Sequence, residues 1–416
     1  MAVGNVTGGA RKGWRNTLMS LLTIGMAATI AACSVVGQAP AGPGDPAASA
    51  DAPSQAPATT KPAAKPASVS VSPEDGADFV NPVSEISAEV TDGTVVSAIL
   101  SETDSGVVTD GELSVSDTKW VAGSPLKFDM KYTFKVTAVD AGGTESSKVT
   151  TFTTVPPSHE ANAVLYPNAD AQVGVAQPLQ WSFSEPVLNK EAVENAIKVT
   201  TATGQVGAFR WYSDTLLRYR AADYWPANTQ VNVDMQLFGL DFGNGMIGNF
   251  NKNYNVNIGN KVVMEADAAA HTVNILVNDQ VVQSYPATLG DENFPSASGY
   301  MVLTSDFQRH ATFKASSIGL NPGDPGDYGS VDVEYAIRLS NSGIFIHQAT
   351  ESAQPYLGVA NLSHGCIGLG PDAASWVFSN MGPGDIVHTV GTPNETIAPT
   401  DGFGDWNFTF EEYASR

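Results

Sequence analysis

Two histidines lie close in sequence to a cysteine that could act as a nucleophile. His347 ends an apolar segment, residues 343–347, and His364 stands two residues before Cys366, with Gly365 between them. A cysteine attacks as its thiolate, and the free thiol titrates near about 8.5, so a neighbouring imidazole must take the proton. Gly365 permits a tight turn that presents the thiol and leaves backbone N–H groups free for an oxyanion. The pattern predicts cysteine acyl chemistry, with His347 on a rigid strand end facing the thiol.

Three other interpretations of these residues stay open at this point. A zinc site of Cys366, His364 and His347 lacks the Cys-x-x-Cys and His-Glu-x-x-His spacings typical of zinc ligands. Cys366 could instead be an inert buried thiol with incidental histidines. A papain-like arrangement places its base after the cysteine, where His388 is the only histidine, and its surroundings favour a surface or packed strand residue.

The N-terminus has the features of an export signal that ends in a lipidation site. Three basic residues precede a short apolar stretch over 18–30, which does not favour a permanent membrane span. The stretch ends in Ile-Ala-Ala-Cys33, which resembles a bacterial lipobox; plain secretion is the alternative. We expect residues 1–33 to be a lipoprotein signal peptide and lipobox, with acyl chains such as palmitate on Cys33 as the membrane anchor. Cys366 would then have no intramolecular partner.

The composition excludes a nucleic-acid-binding protein and a wholly disordered chain. The 416 residues carry a formal charge of −22, from 21 basic and 43 acidic residues, whereas nucleic-acid proteins cluster Lys and Arg. With 42% hydrophobic and 15% charged residues, the chain can bury extended cores. Residues 34–67 are the exception, because their composition cannot form a core and predicts a Pro/Ala-rich tether. No metal or organic cofactor is implied.

Two segments after the tether have the strand pattern of immunoglobulin-like sandwiches. Residues 68–157 contain short alternating stretches, such as 132–138, separated by turns. Residues 158–258 alternate in the same way over 179–184 and add a short helix predicted over 189–197. Neither segment has the cysteine pair of antibody-type domains, so we expect two immunoglobulin-like domains of another subclass.

Residues 259–394 differ in character and contain the Cys–His region. A hairpin is predicted over 273–282, and a Gly- and Pro-rich loop over 321–328 indicates a surface lid. A helix is predicted over 371–381. The C-terminal extension, 395–416, is too apolar for a free tail, so we expect it to pack onto the interface between the second sandwich and this domain. The predicted fold class is mainly β: two immunoglobulin-like sandwiches followed by a β-rich catalytic domain with a short helix.

The arrangement of His347 followed by Ser-His-Gly-Cys-Ile over 363–367 resembles the signature of L,D-transpeptidases, the family with the ErfK/YbiS/YcfS/YnhG catalytic domain. The resemblance extends over essentially the whole mature chain to the mycobacterial and corynebacterial lipoprotein type. That type combines a lipobox, a tether, two immunoglobulin-like domains and a catalytic domain. Two further segments, 241–246 and 404–407, also resemble it.

The resemblance implies an acyltransferase of peptidoglycan. Cys366 would attack the L-centre carbonyl of meso-diaminopimelate in a donor tetrapeptide stem and expel D-Ala. The thioester would then pass to the side-chain amine of diaminopimelate on an acceptor stem. By the same resemblance, His347 is the general base, His364 and Gly365 shape the oxyanion site, and carbapenems acylate Cys366. The lipid anchor implies an extracytoplasmic enzyme at the outer face of the bacterial cell membrane, reaching into the cell wall.

The residues implied to bind substrate include several departures from the family pattern. Ser363 belongs to the motif itself, but Gly368 stands where the family often has Asn or Arg, so a side-chain contact is lost. Gln348 replaces a common Ser after the first histidine, which is tolerable if its backbone carbonyl orients the imidazole. Phe313 falls where mycobacterial relatives have a pocket Met and would narrow the donor site. Tyr328 matches a pocket Tyr on the lid only approximately.

These departures leave two alternative functions. If water resolves the acyl-enzyme, the protein is an L,D-carboxypeptidase, and nothing in the sequence separates water from an amine as acceptor. The protein could also be a catalytically weak wall-binding lipoprotein that retains the fold. Against that alternative, Cys366, His347 and His364 are all present. A transpeptidase is therefore the favoured function.

Overall fold

The computed structural model describes residues 64–415. The predicted signal peptide, Cys33 and most of the tether lie outside the described residues. Within residues 64–415, no helix has the length and apolar character needed to cross a membrane. Ala67, which its composition assigned to the tether, is buried in the core of the first sandwich. The first sandwich therefore begins slightly earlier than predicted.

The first sandwich consists of two four-stranded sheets, with strand orders β1-β2-β6-β5 and β4-β3-β7-β8. Its strands are β1 Ser68–Ser72, β2 Ser87–Thr91, β3 Gly93–Glu102, β4 Val108–Thr109, β5 Gly111–Leu113, β6 Lys119–Ala122, β7 Lys131–Asp140 and β8 Glu145–Thr153. The alternating residues of β7 belong to its core, because Tyr132, Phe134, Val136 and Ala138 are all nearly inaccessible to solvent. The predicted sandwich pattern is confirmed.

The second sandwich also packs two four-stranded sheets, β10-β12-β15-β14 and β11-β18-β16-β13, with a small β17-β9 pair beside them. Its elements are β9 Glu160–Ala161, β10 Ala163–Tyr166, β11 Gln172–Val173, β12 Leu179–Phe183, α1 Lys190–Asn195, β13 Ile197–Thr201, β14 Gly207–Ser213, β15 Leu216–Ala221, β16 Gln230–Gln236, β17 Ile247–Gly248 and β18 Asn251–Ile258. Helix α1 is shorter than predicted, because Ile197 already pairs with Met235 as the first residue of β13.

The third domain, predicted to be catalytic, is built on a nine-stranded sheet in the order β22-β27-β19-β20-β21-β26-β25-β24-β23. Its strands are β19 Val262–Asp267, β20 Thr272–Val277, β21 Gln280–Thr288, β22 Gly299–Val302, β23 Phe307–Lys314, β24 Ser330–Arg338, β25 Phe345–Gln348, β26 Ile367–Leu369 and β27 Ile386–Val390. The predicted hairpin is β20–β21, and it turns at Asn278 and Asp279, both of which have positive φ.

Helix α2, Pro371–Asn380, packs on β25, which carries His347, and on β26, which Cys366 directly precedes. Pro371 suits the first helical turn because its missing N–H would have no partner there. Ala374 and Val377 are buried against the core that includes Ile346 and Ile367, so the helix fixes β25 and β26 from behind. The helix ends within a residue of its predicted end.

The C-terminal extension packs back on both neighbouring domains, as its aromatic content predicts. Trp406 donates its indole N–H to Ala176 of the second sandwich at 2.7 Å. Asn407 exchanges two hydrogen bonds with the backbone of Tyr300 in the catalytic domain. The extension ends in a helix that was not predicted from the sequence, α3, Phe410–Ala414, which Thr409 and Glu412 close with a capping box.

Candidate active site

The cysteine lies at the entrance to a strand, next to a histidine on the neighbouring strand. Strands β25 and β26 run parallel, and their register puts His347 opposite Gly368, two residues after Cys366. His347 and Cys366 are each 8% exposed to solvent. Their shared position follows from alternating apolar residues that anchor each strand in the core beneath α2.

His347 is held in one orientation by its own strand. Its Nδ1–H donates to the Gln348 carbonyl at 2.7 Å, which assigns the second nitrogen, Nε2, as the free proton acceptor. The edge-on ring of Phe313 packs against the imidazole, with centroids 5.3 Å apart. The Gln348 carbonyl, rather than the Gln348 side chain, thus orients the imidazole, as a general base would require.

Burial keeps both members of the pair uncharged at rest. It raises the pKa of the Cys366 thiol to about 11, with the Phe345 backbone N–H acting in the opposite direction. Burial also lowers the pKa of His347, opposed by the hydrogen bond to Gln348. The thiol donates to the Gly343 carbonyl at 3.7 Å. The site therefore holds a neutral thiol and a neutral imidazole, between which a proton transfer would form a thiolate.

The loop before the cysteine has the conformation an oxyanion site requires. Gly365 has φ of +101°, a backbone conformation that L side chains rarely adopt. Ser296 donates to the Gly365 carbonyl at 2.9 Å, and Ser363 donates to the Cys366 carbonyl at 2.7 Å. Among residues 64–415, no protein group accepts from the backbone N–H of Gly365 or Cys366. These amides are open donors for developing negative charge.

His364 contacts the lid rather than the thiol. Its Nε2–H donates to the Gly326 carbonyl at 2.8 Å. Its ring lies between Phe294, at 4.4 Å between centroids, and Tyr328, at 5.0 Å. The side chain of His364 thus fastens the loop over 321–328 onto the motif, and what the motif offers towards an oxyanion is its backbone N–H groups.

The thiol lies where two cavities meet. One has a volume of about 340 Å³ and includes His347, and the other has a volume of about 350 Å³. Phe313, Tyr328, His364 and Cys366 line both. The first cavity has no Lys, Arg, Asp or Glu in its wall, whereas the second carries Lys314 and Arg338. Two ligands of different charge could therefore approach one sulfur atom.

Of the remaining substrate-binding candidates, two line a cavity and one orients His347. Ser363 and Gly368 line the first cavity, while Gln348 acts through its carbonyl. A Cβ at residue 368 would lie 2.8 Å from the Thr288 side chain, so glycine fits the space that Thr288 leaves. Thr288, Phe294 and Ser296 were not predicted from the sequence, because they lie far from the motif and in no recognisable pattern.

Two alternative interpretations can be compared with the structure. His388 lies on β27, where its ring stacks on Tyr300 at 4.3 Å, and it does not line the cavity of the thiol. Within the part of the chain that the structure describes, no group of three or more His, Cys, Asp or Glu side chains could hold a metal ion.

The fold and the site define a class of proteins in which immunoglobulin-like sandwiches precede a β-rich domain with a thiol in a two-sided cavity. The profile of the L,D-transpeptidase catalytic domain matches residues 261–389, and that of a bacterial Ig domain matches 77–241. L,D-transpeptidase 2 of Mycobacterium tuberculosis (strain CDC 1551 / Oshkosh) is 33% identical over 339 residues, which cover 82% of each chain. The chain belongs to the L,D-transpeptidase family. It is a transpeptidase enzyme of peptidoglycan cross-linking.

One further relative and two solved structures are similar to this chain. L,D-transpeptidase 5 of Mycobacterium tuberculosis (strain ATCC 25618 / H37Rv) is 30% identical, covering 82% of this chain and 75% of the relative. A structure of LD transpeptidase LdtMt1 in complex with imipenem is 29% identical, with a TM-score of 0.49, and covers 55% of this chain and 99% of that one. A structure of an L,D-transpeptidase from Mycobacterium smegmatis is 28% identical, with a TM-score of 0.46, and covers 55% and 99%.

Proposed function

We propose that the protein forms cross-links by a two-step acyl transfer through Cys366. The observation that carries this proposal is the position of the thiol, at the junction of two cavities with the His347 imidazole in the wall of one. A donor stem and an acceptor stem could each fill one cavity and reach the same sulfur in turn. Lys314 gives the second cavity a positive charge that suits a peptide carboxylate, whereas Arg338 is paired with Asp306 at 2.7 Å.

In the first step, the Cys366 thiol gives its proton to Nε2 of His347 as the sulfur bonds to the carbonyl carbon at the L-centre of diaminopimelate. The carbonyl oxygen becomes an oxyanion, which the N–H groups of Gly365 and Cys366 can stabilise. The C–N bond to the terminal D-Ala then breaks, and the leaving amine takes the proton from His347. A thioester and free D-Ala remain.

In the second step, the side-chain amine of diaminopimelate on another stem attacks the thioester carbonyl. It passes a proton to His347 as the new C–N bond forms, the C–S bond breaks, and the proton returns to the sulfur of Cys366. The product is a cross-link between two diaminopimelate residues. Water in place of the amine would give a tripeptide instead.

The products from a disaccharide-tetrapeptide distinguish the two acceptors. We expect the wild-type chain to release D-Ala and form a cross-linked dimer, and Cys366→Ala to form neither. Liquid chromatography with mass spectrometry measures both products. Tripeptide without dimer would replace the proposal with a carboxypeptidase, and neither product with a weak wall-binding protein.

We also propose that β-lactams of the carbapenem class acylate Cys366. Their strained amide carbonyl would occupy the position of the donor carbonyl, and one solved relative is described in complex with imipenem. A mass increase equal to the intact drug on wild type, and none on Cys366→Ala, tests this proposal.

The remaining part of the proposal concerns location. We propose that Cys33 is lipidated and anchors the enzyme at the outer face of the bacterial cell membrane, with residues 34–66 as a tether towards the wall. Growth with a radioactive fatty acid tests it. Label on the wild-type chain and none on Cys33→Ser supports the anchor, and an unlabelled wild-type chain refutes it.

A further inference from the structure

One outward face of the second sandwich is covered with amide side chains. Four of the eight residues of β18 are Asn, all at alternate positions and therefore on the same face. Three of their four cross-strand partners on β16 are also amides, the fourth being Asp234, and a Gln on β11 extends the pattern. We define the amide face by Gln172, Gln230, Asn232, Gln236, Asn251, Asn253, Asn255 and Asn257.

The register aligns these side chains in rows across the sheet. Gln230 pairs with Asn257, Asn232 with Asn255, and Gln236 with Asn251, while Asp234 stands opposite Asn253 in the fourth row. Alternate residues on a strand lie about 6.7 Å apart and strands about 4.8 Å apart, so four rows span roughly 20 Å. The face is long enough for an extended chain of several sugar rings.

Local propensity does not explain this composition. Asn is depleted in strands, where Val, Ile and Thr pack better on a pleated surface. The other face of the same strands obeys the rule, since Val231, Val233, Met235, Val256 and Ile258 are buried in the core. The strand preference is therefore violated only on the outward face, while the core face keeps it. Such a one-sided violation is expected where a surface has a function.

The amides are oriented by one another and still have unused hydrogen-bonding capacity. Asn232 donates to Asn253 at 2.7 Å and to Asn255 at 3.0 Å, and Gln230 donates to Asn257 at 3.0 Å. A primary amide has two N–H donors and a carbonyl with two lone pairs, so the ladder uses only part of its capacity. Asn232 also donates to the Tyr254 carbonyl at 3.1 Å, so the unused capacity lies mainly on the exposed side chains of Gln230 and Asn253.

The face carries almost no net charge in a strongly acidic protein. Lys198 and Asp234 stand opposite each other in the register between β13 and β16, so their charges cancel. The chain as a whole has a formal charge of −22. A polycation or polyanion would find no complementary field here, whereas a neutral ligand rich in hydroxyl and acetamido groups would find matching donors and acceptors.

The amide pattern continues towards the catalytic domain. Gln172, at the β11 end of the face, also lines a cavity of about 260 Å³ whose wall includes Asn260 and the 6% exposed side chain of Asp385. Asn260 accepts from Asn228 at 3.0 Å and from Asn278 in the catalytic hairpin at 3.2 Å. Polar amides therefore lead from the second sandwich to the domain that carries Cys366.

We propose that the amide face binds the glycan strand of peptidoglycan, a neutral polymer of N-acetylated amino sugars, by hydrogen bonds to its acetamido and hydroxyl groups. This proposal rests on the proposed function for the identity of the substrate. Bound along the glycan, the second sandwich would hold the catalytic domain beside the stems that the same strand carries, which raises their effective concentration.

Replacing three amides with threonine tests the proposal. Asn232→Thr/Asn253→Thr/Asn255→Thr removes the centre of the ladder, and Thr favours strands, so we expect the melting temperature to be unchanged or higher. Gln230→Thr/Asn257→Thr is a second variant at the other end. Asn162→Thr/Asn195→Thr, at two exposed positions outside the amide face, is the matched control.

The measurement is calorimetric binding of an N-acetylglucosamine hexamer, its fully deacetylated analogue and the free tetrapeptide stem, using the full chain. Wild type and control should bind the N-acetylated hexamer at least tenfold more tightly than the triple variant and more tightly than the cationic deacetylated hexamer. Equal binding by the triple variant, preference for the deacetylated hexamer or the stem, or no binding by wild type would overturn the proposal.

Turnover of soluble tetrapeptide keeps this test separate from the proposed function. All three variants should retain wild-type turnover, because none of the replaced residues lines the cavities around Cys366. If wild type lacks turnover but binds the N-acetylated hexamer through the amide face, the catalytic proposal fails and the glycan proposal stands.

Discussion

The buried ion pair between Arg218 and Asp405 should hold the C-terminal extension against the second sandwich. The side chains are 4% and 0% exposed, and Arg218 Nη1 lies 2.7 Å from Asp405 Oδ2. The other carboxylate oxygen accepts from Tyr212 at 2.6 Å. Asp405→Ala removes both acceptors and leaves a guanidinium without its partner.

The expected cost is set by that unpaired charge. Removing one partner of a buried ion pair destabilises a protein by about 3–5 kcal/mol. In a cooperative unit of about 150–250 residues, each 1 kcal/mol lost from the free energy of unfolding lowers the melting temperature by about 2–4 °C. We therefore expect a decrease of roughly 6–20 °C. Arg218 keeps its bonds to the Pro399 and Gly402 carbonyls, which favours the lower half of the range.

Differential scanning calorimetry of Asp405→Ala, Arg218→Met and the double variant measures this effect. The double variant should lose less stability than the two single variants together. Once Arg218 is absent, removing the Asp405 carboxylate leaves no guanidinium unpaired. Glu411→Ala, an exposed acidic residue on the same extension, is the matched control and should change the melting temperature by less than about 2 °C. A decrease below about 2 °C for Asp405→Ala, or strictly additive losses, would show that the pair does not hold the extension in place.

Three further predictions concern pH and backbone conformation. Because burial lowers the pKa of His347, the acid limb of kcat/KM should have its midpoint below pH 6.5, and a midpoint above that value would contradict a buried neutral base. Burial raises the pKa of Asp385 from 3.8 to about 7, so its contribution to stability is full below pH 3.8 and is lost as pH rises through 7. Asp385→Asn should therefore gain stability relative to wild type between pH 4 and pH 8 in urea titrations, and parallel curves would contradict this. Gly365→Ala places a side chain on a residue whose φ is +101° and should lower turnover at least tenfold. Gly382→Ala is the control, because a Cβ there meets open space, and it should keep wild-type turnover. Equal turnover of the two variants would show that the loop conformation is not required.

The fold was predictable wherever alternation in sequence matched burial. The stretch over 132–138 became β7, and the hairpin turned at Asn278 and Asp279, because period-two patterns and positive-φ turn residues act locally. Helix α1 ended early because pairing of Ile197 with β16 outweighed its helical context. Helix α3 was missed, although Thr409 and Glu412 are a capping box readable from sequence.

The site was predictable where chemistry and sequence proximity coincide. Cys366, His347 and Gly365 follow from what a thiolate and an oxyanion need, and the structure places His347 on β25 and Cys366 directly before the neighbouring strand β26. The contact of His364 with the lid could not be predicted, because Gly326 is a backbone acceptor in a loop of no fixed pattern. Ser296, likewise, reaches the Gly365 carbonyl from a distant loop.

Cys366 is the residue on which the whole proposed reaction depends, because it must carry the acyl group between the two stems. Intact mass spectrometry with peptide mapping detects that group, after incubation with a tetrapeptide stem whose diaminopimelate side-chain amine is acetylated so that it cannot act as acceptor. Wild type should gain the mass of the stem minus D-Ala, mapped to Cys366, and His347→Ala should gain it far more slowly. No mass gain, or an acyl group mapped to another residue, would show that the reaction does not pass through this thiol.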